Sequence, residues 1–147
     1  MKKRNFIITL LAIALTFGMA SCNKIEKTII GTWVSGNTTI LEGEAEAADF
    51  DDMTWTFKED KTVIASATEE GETFTLNGTY SIDGDKLNMV FELAMGPATT
   101  KTVFDMDVTK NSKTSLTLTG TMTSTMSMQG VEEETIQGKL KTTLTKK

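Results

Sequence analysis

The 147-residue chain carries 15 basic and 20 acidic residues, no His, one Cys and one Pro, for a formal net charge of −5. Without His, and with a single thiol, His- or Cys-based catalysis, His/Cys metal sites and disulfides are excluded, and no cofactor motif is present. The acidic balance argues against nucleic acid, whose phosphates need a basic face, and the length suits one domain with its own core.

Met1-Lys2-Lys3-Arg4 opens the chain with positive charge, and an apolar run from Phe6 to Phe17 follows, interrupted by Thr9 and Thr16. That run falls short of the about 20 apolar residues that a permanent membrane helix needs. With the small residues Ala20 and Ser21 at its end, it has the layout of a secretory signal instead. Gly18-Met19-Ala20-Ser21-Cys22 resembles a bacterial lipobox, with Met19 where Leu is usual. The resemblance implies that Met1–Ser21 is removed and that Cys22 becomes a lipid-bearing N-terminus, firmly anchored because it carries more than one acyl chain. Acylation also removes the liability of an unpaired thiol in an oxidising compartment. Asn23 rather than Asp after Cys22 resembles outer-membrane sorting, and Lys24-Ile25-Glu26-Lys27 lacks the acidic run that resembles a surface-export signal. The chain is therefore expected in the cell envelope, on the periplasmic leaflet of the outer membrane, with surface display as the alternative. Cleavage takes away Lys2, Lys3 and Arg4, so the 15 basic residues fall by three to 12 against 20 acidic ones, and no Arg remains. The predicted organisation is a signal over 1–21, a lipidated tether over 22–28 and one domain over 29–147.

Beyond the tether, apolar residues recur at every second position, the signature of strands with one buried face. Eight strands are predicted, over 30–41, 52–58, 61–68, 72–83, 86–95, 101–110, 114–128 and 134–145. Met53, Trp55 and Phe57 alternate with Thr. Val63, Ala65 and Ala67 form a weaker stripe. Phe74, Leu76, Gly78, Tyr80 and Ile82 share a face, as do Leu87, Met89, Phe91 and Leu93. Phe104, Met106 and Val108 follow, with Asp105 and Asp107 opposite. Leu116, Leu118, Gly120, Met122, Ser124, Met126 and Met128 form a long stripe, and Ile136, Gly138, Leu140 and Leu144 the last one. Asp83-Gly84 is the strongest hairpin signal, because both residues tolerate positive φ. Glu69-Glu70-Gly71, Lys110-Asn111-Ser112-Lys113 and Gln129-Gly130 are turn-like, and Gly96-Pro97 is expected to interrupt a longer loop. Gly78, Gly120 and Gly138 lie within stripes and read as bends or close approaches.

Short sequential connections make an antiparallel meander. Such a meander covers its single apolar face and removes its edges by closing into an up-and-down barrel; a two-sheet sandwich is the competing architecture. An outer-membrane barrel would present an apolar band to lipid, whereas the face opposite each stripe here carries Thr, Lys, Asp and Glu. The predicted fold is all-β, an eight-stranded antiparallel up-and-down β-barrel behind a cleaved lipoprotein signal peptide.

Ile30-Gly31-Thr32-Trp33 places Gly-x-Trp in the first strand. Thr54-Trp55-Thr56-Phe57-Lys58-Glu59-Asp60 follows, then Gly78-Thr79-Tyr80-Ser81-Ile82-Asp83-Gly84-Asp85-Lys86-Leu87. This ordered series resembles the lipocalin-like lipoprotein domains of the Bacteroidetes type over residues 30–90. The resemblance implies a calycin barrel that binds a small ligand or a partner. Its closed end is plugged by Trp33, with Gly31 letting the chain pass close by. No Arg exists to cover Trp33, and Lys139 or Lys141 is expected in its place. The Thr-Asp-Tyr segment of true lipocalins is absent.

Function is then expected from the interior or from the loops. Phe57, Phe74, Tyr80, Met89, Phe91, Met106, Met122 and Met126 are the candidate ligand contacts. Met adapts to varied partners, and an eight-stranded barrel is at the size where its interior is either filled or hollow. A hollow of more than about 300 Å³ would favour a small hydrophobic or amphipathic ligand held inside the barrel, and a filled barrel would defeat that interior reading. A filled barrel with an exposed apolar patch near Phe50 or Ala94–Pro97 would favour a non-enzymatic interaction module or inhibitor working through its loops. The acidic stretch Glu42–Asp52 is expected to be a loop at the open end, with Phe50 as its lid contact; it lacks the spacing of a calcium loop. Glu132-Glu133-Glu134 and Glu69-Glu70 read as charged turns rather than as a hydrolytic carboxylate pair. No catalytic residue and no metal ligand is assigned, and an enzyme is the least favoured class.

Overall fold

The structure, a computed structural model, describes residues 24–45 and 50–147; the signal segment, Cys22 and residues 46–49 lie outside the described residues. The period-two stripes form nine strands. They are β1 (Gly31–Ser35), β2 (Thr39–Gly43), β3 (Thr54–Phe57), β4 (Thr62–Glu69), β5 (Glu72–Asp83), β6 (Lys86–Met95), β7 (Ala98–Lys110), β8 (Ser115–Met128) and β9 (Glu134–Lys146). Neighbours run antiparallel in the order β1-β3-β4-β5-β6-β7-β8-β9. β9 then returns to β1 through Trp33↔Lys146, Val34↔Thr145 and Ser35↔Leu144. The sheet is thereby closed as an eight-stranded barrel, and β2 lengthens the seam along β9.

Two strands depart from the sequence reading. The strand predicted over 30–41 is broken at residues 36–38. From Ser35 opposite Leu144 to Thr39 opposite Lys141, the chain advances four residues while β9 advances three, and the register slips again between Ile40 and Glu42. Both halves still pair with β9, so the break is a kink in one seam strand, of the kind that bends a strand around a barrel. β7 begins at Ala98 rather than at 101, because Gly96-Pro97 is a tight two-residue turn between the paired Met95 and Ala98, with Gly96 at φ 62°. The glycines within stripes serve close approaches, as expected. A Cβ on Gly78 would stand 2.6 Å from the Phe91 ring, and one on Gly120 only 2.0 Å from the Asp105 carbonyl oxygen.

Residues 24–28, expected as a tether, belong instead to a helical turn, α1 (24–29), at the closed end of the barrel. Ile25 packs on the core and Ile29 is wholly buried. Tertiary burial rather than helix propensity holds so short a helix. Trp33 is also wholly buried, and its Nε1 donates to the Ile29 carbonyl at 2.7 Å. The lysine that covers the indole is Lys146, not Lys139 or Lys141. Its Nζ lies 5.2 Å from the ring centre and donates to the Ile30 carbonyl at 3.2 Å. The reason is parity. Lys139 and Lys141 take the outward alternation of β9, whereas Lys146 shares the inward alternation of the buried Leu140 and Leu144. Its ammonium also stands by the carbonyl end of α1, a favourable position for a cation.

Two further contacts tie the closed end together. Glu26 of α1 forms an ion pair with Lys61, and that carboxylate raises the Lys61 ammonium above its usual pKa. Tyr80 donates to the Lys58 carbonyl at 2.6 Å, and burial pushes its phenol pKa up. Replacing Trp33 by Phe would strand the Ile29 carbonyl and leave a cavity beside it. The expected loss is about 2–4 kcal/mol of unfolding free energy, read from urea denaturation. A loss under about 0.5 kcal/mol, the size of an ordinary surface change, would show that the plug does not hold this end.

Candidate functional site

Strand length decides which of the candidate residues meet. β1 and β3 span 5 and 4 residues, whereas β7, β8 and β9 span 13, 14 and 13. The sheet can close only where the short strands reach, so the long ones run on past the closed part. In the closed part, side chains fill the interior. Phe57 and Tyr80 meet edge to face at 5.2 Å between ring centres. Trp55, Phe91 and Phe104 form a triangle with separations of 6.1, 5.9 and 6.0 Å. Such T-shaped pairs are favoured by the ring quadrupoles. Met89, Met106 and Met122 are buried in the same cluster.

Six of the candidate ligand contacts, Phe57, Tyr80, Met89, Phe91, Met106 and Met122, are thus brought together, but as core. Of the two interiors left open by the sequence, filled and hollow, the closed part has the filled one, so a ligand held inside the barrel is not supported. An open groove of about 450 Å³ runs over Gly43, Met122 and Gly138.

Phe50 is partly buried against this core. Its ring stands perpendicular to Phe104 at 6.0 Å. The buried Ser35 fixes the loop around it: Ser35 Oγ donates to the Phe50 carbonyl at 2.6 Å and accepts from the Met53 N–H at 3.0 Å. Asp51 Oδ1 accepts from the Thr38 N–H at 2.6 Å. Phe50, expected as the lid contact of this loop, meets the aromatic core through Phe104. In the same aromatic cluster, Trp55 Nε1 is buried without a hydrogen-bond partner among the described residues. A donor left in that state costs about 1–3 kcal/mol unless an oxygen reaches it.

Beyond Phe91 and Phe104, toward the β6–β7 turn, the large apolar side chains of the inward face are exposed, and the small Ala98 among them is buried. Cross-strand register sets out the rows of that face. Phe91, Thr102, Ser124 and Ile136 lie side by side, then Leu93, Thr100, Met126 and Glu134, then Met95, Ala98 and Met128. Leu93, Met95, Met126, Met128 and Ile136, with Phe74 on β5, are between 39% and 59% exposed. All six share the inward alternation, so an apolar face that is buried lower down continues here uncovered. The sheet is also split at this level. The β5–β6 ladder ends at Gly78↔Phe91. Residues 72–77 of β5 pair with β4, and residues 92–95 of β6 pair with β7. The tip of the β4–β5 hairpin, carrying Phe74, therefore stands apart from the β6–β9 face.

Phe74 and Met126 are the two candidate contacts that lie at this mouth. Leu93, Met95, Met128 and Ile136 join them at the mouth; Leu93, Met128 and Ile136 lie on the predicted stripes, and Met95 continues the alternation of the Leu87–Leu93 stripe. The signal that could have found them is strand length: a stripe that outruns its neighbours cannot be covered by them. Among the described residues, no group of three or more His, Cys, Asp or Glu is placed to hold a metal ion, and no helix is long and apolar enough to cross a membrane.

A family model described as a lipocalin-like domain matches residues 29–124. Neither the curated proteins nor the solved structures give a significant match. The matched segment begins at the buried Ile29 and runs into β8, stopping short of Met126, Met128 and β9.

Methionines at the two levels should respond differently to truncation. Met89→Ala is expected to cost about 2–5 kcal/mol, as for a buried methionine, whereas Met126→Ala should stay within about 0.5 kcal/mol. Equal losses in chemical denaturation would contradict the division into filled base and open mouth.

Proposed function

The chain belongs to the lipocalin-like domain family, and from that premise we propose that it is a membrane-anchored envelope lipoprotein, non-enzymatic, that holds a small hydrophobic or amphipathic molecule at its mouth. The observation that carries this reading is the set of six exposed apolar side chains on the inward alternation. Large apolar side chains exposed together on one face mark a place where something binds. Methionine supplies three of the six, and its soft, unbranched side chain moulds to varied shapes. The split between β5 and β6 offers two apolar surfaces, Phe74 on one side and the β6–β9 face on the other, between which an alkyl chain or a ring can lie.

The anchor rests on the signal-like Met1–Ser21 and on Cys22. α1 begins at residue 24 and lies at the closed end. A lipid on Cys22 would set that end on the bilayer, at the outer membrane, and turn the mouth away from it. A second reading is favoured by the exposure of Leu93 and Met95 beside the Gly96-Pro97 turn. In it, the same face docks an apolar segment of another envelope protein.

The ligand reading is tested on the full chain carrying Cys22→Ala, which has no lipid. It is expected to bind the neutral apolar dye Nile red saturably. Met126→Asp combined with Ile136→Asp should weaken that binding about ten-fold or more, because a carboxylate is costly to bury against an apolar ligand. Unchanged binding in the double variant would overturn the reading, and no binding by the parent chain would leave the face to a protein partner. For the anchor, mass spectrometry of the membrane fraction should show acylated Cys22; an unmodified thiol there would contradict it.

A further inference from the structure

We propose that the mouth selects amphipathic cations: the apolar body of the ligand rests on the Met and Leu face of β6–β9, and its ammonium or guanidinium head meets Glu69, Glu72 and Glu134 at the lip. The inference rests on the reading that the mouth binds an apolar molecule and adds the charge of that molecule.

The apolar face is the site; the carboxylates decide what fits it. Glu134 stands in the row of Leu93, Thr100 and Met126 and shares their inward alternation. Glu69 follows Val63, Ala65 and Ala67 on the inward side of β4, and Glu72 precedes Phe74, Leu76 and Gly78 on that of β5. Glu69 and Glu72 are also direct cross-strand partners. Like charges placed opposite each other disfavour a ladder, so a cation between them would offset that repulsion. Among the described residues the ion pairs are Lys61–Glu26, Lys86–Asp107 and Lys101–Glu92, and none of them engages Glu69, Glu72 or Glu134.

The lysines are placed elsewhere. Lys101 and Lys139, the nearest to the mouth on β7 and β9, take the outward alternation, opposite Glu92 and Glu42. The inward-alternating lysines of β7 and β9, Lys110 and Lys146, are both at the closed end. The mouth therefore presents apolar surface edged by negative charge. Glu70, Glu132 and Glu133 in the adjoining turns add to that field. A fatty-acid carboxylate would be drawn by the apolar face and repelled by the lip, whereas an alkylammonium is drawn by both.

The test titrates the full chain carrying Cys22→Ala with three ligands of one tail length, dodecylammonium, dodecanoate and dodecyl maltoside, each below its micelle concentration. At low salt dodecylammonium is expected to bind about ten-fold or more tighter than dodecanoate, and the gap should shrink as salt shortens the screening length to about 8–10 Å. In the combined Glu69→Gln, Glu72→Gln and Glu134→Gln variant the gap should close while dodecyl maltoside binding stays unchanged. If all three ligands bind alike, or dodecanoate binds best, charge selection is wrong while the apolar site stands. If none binds, the apolar site itself is wrong, and this inference falls with it. A preference for the cation that the triple variant retains would overturn the assignment to these carboxylates.

Discussion

Everything distinctive about this molecule follows from how little of its sheet is closed. The seam between first and last strands is three residue pairs, Trp33 to Ser35 against Lys146 to Leu144, continued by the kinked β2. Closure at that point makes the edges of the lower sheet disappear and lets the aromatic residues of β3, β5, β6 and β7 pack against one another. Trp33, held by the Ile29 carbonyl and covered by Lys146, fixes the closed end of that seam. The long strands then run on without short partners to cover them, and their inward side becomes surface.

This geometry separates two jobs along one alternation. Lower positions of a stripe supply stability, because their side chains are buried among rings and methionines. Upper positions of the same stripe supply an exposed apolar face. Met89 and Met95 illustrate it: they share β6 and one parity, yet one is buried and the other is among the most exposed apolar residues described. Charge is divided along the same axis. Lys24, Lys27, Lys110, Lys113 and Lys146, with Asp85 among them, line open grooves at the closed end, while Glu69, Glu70 and Glu72 line one beside Phe74. A chain with a net negative charge is thus not uniformly negative, and the two ends offer different surfaces to their surroundings.

Much of the fold was legible because alternation carries it. Phe104-Asp105-Met106-Asp107-Val108 can be only a half-buried strand, and β5 and β6 fall at their predicted bounds, because two residues of turn separate unambiguous stripes. The seam strand was less legible, since its break at 36–38 depends on bulges set by β9, a partner more than a hundred residues away. Lys146 was missed because its role depends on α1, a helix too short to declare itself and stable only through the burial of Ile25 and Ile29. The candidate site was half legible. The stripes contain every mouth residue but Met95, and whether a stripe position is core or surface depends on the lengths of its neighbours. That is why Phe57 and Met89 were chosen beside Phe74 and Met126, although only the latter two lie at the mouth. Phe50 shows the same limit: its apolar ring among acids marks a contact, but not that the ring seats on Phe104.

The most direct test of a filled base beneath an open apolar mouth is the solvent accessibility of the methionine methyl groups. With methyl-labelled methionine and a soluble nitroxide, NMR should show strong relaxation enhancement at Met95, Met126 and Met128 and protection at Met89, Met106 and Met122. Protection of all six would mean that the mouth is closed in solution, and enhancement of all six would mean that the base is not filled; either result would contradict the account.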